Sequence, residues 1–71
     1  MRDIEIARLQ KYLRAKFDNN RIKLAKRPKT DDSVEVLLDD EFLAVVYRDD
    51  DEGEISYQIH MCVIEEDLPE I

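Results

Sequence analysis

The spacing of apolar residues changes period once along the chain. Between residues 3 and 17, Ile6, Leu9, Leu13 and Phe17 recur at steps of three and four, the stripe of an amphipathic helix, with Tyr12 at its flank. Asp3 is placed to cap the amino end, and Glu5 favours the first turn electrostatically. The helix is expected to close near Asp18-Asn19-Asn20, because Asn tolerates the left-handed conformation that ends helices. The opposite face, with Ile4, Ala7, Arg8, Lys11 and Ala15, is mostly basic with small apolar gaps.

Past Asn20 the period becomes two. Ile22 and Leu24 alternate with Arg21, Lys23 and Ala25 as a first strand, which Pro28 ends because proline cannot donate to a ladder. A polar loop, Lys29 to Ser33, leads to Val34, Val36 and Leu38 in a second strand. Asp39-Asp40 makes a tight connection of open turn type, since the usual glycine is absent. Phe42–Arg48 is the third strand. Gly53, the chain's single glycine, offers a positive φ to a hairpin over Asp49–Glu54. Ile55, Tyr57, Ile59, Met61 and Val63 then alternate as a fourth strand. The expected fold is α+β: one N-terminal helix packed on a four-stranded antiparallel meander, a single domain over 1–64 with a frayed acidic tail over 65–71.

The third strand is apolar on both sides. Leu43, Val45 and Tyr47 cannot share a face with Phe42, Ala44 and Val46, and one helix covers one side of a sheet. One set therefore faces away from the helix, with a second subunit as the economical cover; which set contacts the helix stays open, and Leu43, Val45 and Tyr47 are the candidate self-association surface. Length strengthens this: 71 residues bury a small core, and Cys62, the lone cysteine, can form no internal disulfide. One Cys and one His cannot build a structural zinc site. No apolar run reaches the roughly 18 residues of a membrane span. The amino-terminal residues lack the apolar core of a signal peptide, which points to a cytoplasmic, bacterial protein.

Charge is sorted by position. Residues 1–29 hold ten of the eleven Lys and Arg against three acids, and residues 30–71 hold Arg48 alone against fifteen acids. Arg8, Lys11, Arg14, Arg21, Lys23, Lys26 and Arg27 form the candidate basic partner surface. The net charge of −7 opposes long-range attraction of a polyanion, so nucleic-acid binding through the basic helix face and first strand is the alternative rather than the leading reading. The order of elements also resembles part of a double-stranded RNA-binding domain, but without its carboxy-terminal helix and closely spaced lysines.

Catalytic and metal constellations do not assemble. His60 and Cys62 stand at i and i+2 on a strand, roughly 6–7 Å apart and too far for a nucleophile–base pair. The acidic turn Asp49–Glu54 misplaces its glycine for a calcium loop and has His60 where the twelfth-position Glu belongs. One glycine excludes a Gly-rich phosphate loop. Ser33 and Ser56 lack a histidine within reach, and Asp31-Asp32 and Asp39-Asp40 sit in solvated loops. No cofactor is expected, and no enzyme.

The segments Glu5-Ile6-Ala7-Arg8-Leu9-Gln10, Tyr12-Leu13-Arg14, Arg27-Pro28-Lys29, Asp32-Ser33-Val34-Glu35-Val36, Asp40-Glu41-Phe42, Tyr47-Arg48-Asp49 and Ile55-Ser56-Tyr57 resemble a family of short alphaproteobacterial proteins classed as a domain of unknown function. The resemblance covers nearly the full length and implies a bacterial cytoplasmic protein without an assigned activity; it supplies no site residues. The reading reached is a small non-enzymatic protein-interaction or regulatory adaptor, acting as a homodimer with a possible protein partner.

Overall fold

A computed structural model describes residues 1–51 and 53–71. Helix α1 spans Asp3–Phe17, followed by strands β1 (Ile22–Lys26), β2 (Ser33–Leu38), β3 (Glu41–Asp49) and β4 (Ser56–His60), and a 3-10 turn at Glu65–Asp67. The strands form one antiparallel sheet in the order β1-β2-β3-β4, the expected meander. The alternation of each strand resolves into a covered face and an open face. Ile22, Leu24, Val34, Val36, Ala44 and Val46 join Leu13 of the helix in the buried core. Met1, Ile6, Leu9, Leu38, Leu43 and Tyr57 pack around it.

The helix is not centred on the sheet. Gln10 Oε1 accepts a hydrogen bond from the Leu24 amide at 2.9 Å, and Arg14 Nε donates to the Ile22 carbonyl at 2.6 Å. Asp3 meets Lys26 Nζ at 2.6 Å. Gln10 and Arg14 thereby satisfy backbone groups of β1, an edge strand whose unpaired amides and carbonyls would otherwise template aggregation, and with the Asp3–Lys26 pair they fasten the helix to that strand. They also pull α1 towards the β1 side, leaving the β4 side of the covered face thinly roofed. Phe17, the expected end of the apolar stripe, is consequently 65% exposed at the rim of this thinly roofed side.

Both ends of the helix differ in detail from expectation. Arg2, not Asp3, is the N-cap, and its amide is held by the Glu5 carboxylate. At the other end Asp18, rather than either Asn, takes the left-handed conformation (φ 50°, ψ 49°). Asn19 instead accepts the Arg21 amide on Oδ1 at 2.9 Å, turning the chain into β1.

A β-bulge reorganises the third strand. Val36 pairs with Ala44 and Leu37 with Phe42, so Leu43 is an extra residue. The bulge corrects the expected face of Leu43. It packs against the core, while Phe42, beside Leu37 in the ladder, is 55% exposed. It also limits the fourth strand. Pairing stops at Val45 with His60, short of the expected Val63, because the next partners would lie at the distorted Leu43 region.

Asp39 and Asp40 both have positive φ, 51° and 66°, as a two-residue type I′ hairpin requires. Glycine adopts this conformation without the Cβ clash. Asp40→Gly is expected to raise unfolding stability by about 1 kcal/mol, read by urea titration, with the weak exposed contact to Lys23 contributing little.

Candidate functional site

The most elaborate polar constellation is centred on Glu5, which is only 7% exposed. Its position in the first helical turn, four residues before Leu9, aims it down the inward stripe toward the start of β4 and the end of β3. Oε1 accepts from the Arg2 backbone amide and Arg2 Nε, each at 3.1 Å. Oε2 accepts from Arg48 Nε at 2.9 Å and from the Tyr57 hydroxyl at 2.8 Å. Arg48 continues to Asp50 at 3.0 Å. One carboxylate thus links the helix start to β3 and β4 across separations of 43 and 52 residues.

The electrostatic consequences follow from the partners. The Tyr57 hydroxyl, then the Arg2 amide and side chain, pull the Glu5 carboxyl down to about 2, against the opposing effect of burial. The same bond pushes the Tyr57 phenol up from its ordinary value. A carboxylate with this affinity for charge and with four donors on its two oxygens is a poor proton acceptor. Its geometry makes it a fastener.

A depressed carboxyl contributes stability that is complete above its ordinary value of 4.5 and is lost as pH falls through the folded value of about 2. Acid unfolding is therefore expected to draw on Glu5 between roughly pH 4.5 and 2. In Glu5→Gln the wild-type loss of stability across this window should be visibly flatter, measured by denaturant midpoints at stepped pH; Asp3, lowered by its bond to Lys26, retains a smaller share.

The second feature is the face of the sheet turned away from α1. Ala25, Glu35, Leu37, Phe42, Val45, Tyr47 and His60 succeed one another across it by cross-strand pairing. The Tyr47 and His60 rings meet edge to face at 5.2 Å. Tyr47 is 39% exposed and Val45 half-buried. Two members of the expected self-association set, Val45 and Tyr47, are on this face, and Phe42 stands there in place of Leu43.

The expected basic surface is divided by the fold. Arg14 spends its guanidinium on the Ile22 carbonyl, and Arg27 donates to Ser33 Oγ at 3.1 Å. Arg21 pairs with Asp39, Lys23 lies 4.0 Å from Asp40, and Lys26 pairs with Asp3. Arg8 and Lys11 make no ion pair among the described residues. Asp39 and Asp40 of the acidic half thus pair with Arg21 and Lys23, and Asp3 of the basic half itself pairs with Lys26.

His60 meets Tyr47 edge to face, and the Cys62 thiol is exposed beyond the end of β4. Among the described residues no three His, Cys, Asp or Glu side chains gather to hold a metal ion. In the acidic turn, Gly53 has φ 76° and its amide donates to the Asp50 carbonyl at 3.3 Å; Glu52 of that turn lies outside the described residues. No helix among the described residues is long and apolar enough to cross a membrane.

The Glu5–Arg48–Tyr57 fastener escaped the sequence analysis, although two signals pointed to it. Glu5 occupies the inward stripe, and Arg48 is the one cation among the fifteen acids of residues 30–71.

These features define a small α+β module, a helix fastened to a meander sheet, with an uncovered apolar face. The chain belongs to the family described as protein of unknown function (DUF3126), which matches residues 5–67. No curated protein and no solved structure matches it.

Proposed function

We propose that the protein is a non-enzymatic protein-interaction or regulatory adaptor module that acts as a homodimer through the open face of its sheet. The observation that carries this reading is the uncovered apolar centre of that face, Phe42, Val45 and Tyr47, on strands held rigidly in register from behind. A monomer would leave it in water; a second copy of the same face removes it. The internal pairing of Arg21, Lys23 and Lys26 supports a protein partner over a nucleic acid, because acids beside these cations lower the local positive potential. The lone exposed thiol of Cys62 suits a reducing compartment, the cytoplasm.

Sedimentation equilibrium of wild type and Tyr47→Lys tests the reading. A charge buried in the face should weaken self-association at least about tenfold without changing the circular dichroism, since Tyr47 lies outside the core. Equal association constants would remove the sheet face as the interface.

A further inference from the structure

The β4 side of the covered face carries a groove that α1 leaves open. Two adjoining hollows of about 370 and 290 Å³ share Leu13 and Ile59. Leu9, Tyr12, Phe17, Leu43 and Met61 are among the residues of the walls. Tyr12, Phe17 and Ile59 are all exposed. The asymmetry has the cause already given: Gln10, Arg14 and Asp3 draw the helix to β1.

The same chain carries a segment with the complementary character. Every residue of 61–71 is exposed. The segment is nonetheless not a solvated polar strand, for it holds Met61, Val63, Ile64, Leu68 and Ile71 as exposed large apolar residues. Its charge is one-signed, Glu65, Glu66, Asp67 and Glu70 with no Lys or Arg. The rim of the groove is of the opposite sign. Arg8 lines it, and Lys16, four residues after Tyr12, lies on the same flank of the helix. Neither makes an ion pair among the described residues, unlike Arg21, Lys23 and Lys26.

We infer that residues 61–71 of a second copy of this chain occupy the groove between α1 and β4, with Leu68 and Ile71 in the apolar hollows and the intervening acids against Arg8 and Lys16. In one dimer, each copy would hold the other by an arm. Length permits it. Eight extended residues and the three of the 3-10 turn reach roughly 32 Å, whereas passing from one sheet, across a facing sheet, to the far side of that sheet takes about 20 Å at two layer spacings of about 10 Å each. Met61 lines the hollow at the Phe17 end of its own groove, but beyond it Val63, Ile64, Leu68 and Ile71 stay exposed and line neither hollow, so the segment leaves its own groove empty. Exchange between copies fills both grooves and hides both segments at once. The inference rests on the dimer reading for the presence of a second copy, and uses a different surface from the open face.

The test is sedimentation equilibrium on full-length Leu68→Asp, Phe17→Asp and Tyr47→Lys, and on a mixture of the first two. Leu68 and Phe17 are 57% and 65% exposed, so neither substitution disturbs the core. Each should weaken the dimer at least about tenfold, an effect of the size expected for removing a buried leucine or phenylalanine contact. The mixture pairs an intact arm with an intact groove and should associate more tightly than either variant alone. Leu68→Asp with the wild-type association constant overturns the inference. So does a mixture no tighter than its components, the result expected if the segment folds back on its own groove. The two readings separate cleanly: Tyr47→Lys without effect beside a weakened Leu68→Asp removes the open-face interface and keeps the arm, and the converse keeps the face and removes the arm.

Discussion

Leu13→Ala should cost about 2–5 kcal/mol of unfolding free energy, the largest loss expected of any single truncation on the helix. Leu13 is the one helix residue fully within the core. It stands over Ile22, Val36 and Ala44, beside the hollow that also contains Leu43. Removing three side-chain carbons there enlarges an existing gap that the asymmetrically placed helix is not free to close, because Gln10 and Arg14 fix it to β1. For a domain of this size total stability is only on the order of 4–10 kcal/mol, so the variant should be partly unfolded at moderate temperature. Urea titration with an unchanged slope and a lowered midpoint would show it. A cost below about 1 kcal/mol would mean that the helix repacks freely, contrary to the fixed placement described.

Arg48→Met should destabilise the protein, and Glu5→Leu combined with it should restore much of the loss. The single change takes from the inward Glu5 carboxylate the more buried of its two cations, leaving the largely exposed Arg2 and the Tyr57 hydroxyl as its remaining partners. An uncompensated buried charge is costly, whereas exchange of both partners for apolar side chains is often close to neutral. A drop of more than about 5 °C in Tm is expected for Arg48→Met. The double variant should lie nearer wild type than the sum of the two single changes predicts, a coupling read from a four-member thermal denaturation cycle. Strict additivity would show that Glu5 and Arg48 contribute independently and that the fastener is a coincidence of position.

Much of the architecture is legible in the sequence because it follows from local period. Ile22/Leu24, Val34/Val36/Leu38 and the Phe42–Arg48 run place the strands, and the short connections at Asp39-Asp40 and Gly53 leave antiparallel neighbours as the simplest order. What escapes the pattern arises from contacts distant in sequence. The bulge at Leu43 exchanges the faces of Leu43 and Phe42, and no periodic template anticipates an inserted residue. Phe17 lies on the apolar stripe but is exposed at the rim of the gap between α1 and β4, a matter of where the helix is anchored rather than of its spacing. Glu5 reads as a first-turn electrostatic residue until Arg48 and Tyr57 arrive from the far end of the chain. The two-sided third strand was the most informative site signal: it requires one apolar set to face away from the helix, while which set does so depends on the packing of α1 and on the bulge.

The central claim is that this module works by association, and the mass of the intact protein in solution tests it most directly. Light scattering on a sizing column across micromolar concentrations, at low and high salt, should give at least twice the chain mass of 8.4 kDa, persisting in high salt because the contact is apolar at its centre. A species of 8.4 kDa at every concentration and salt would contradict both the open sheet face as an interface and the exchanged arm.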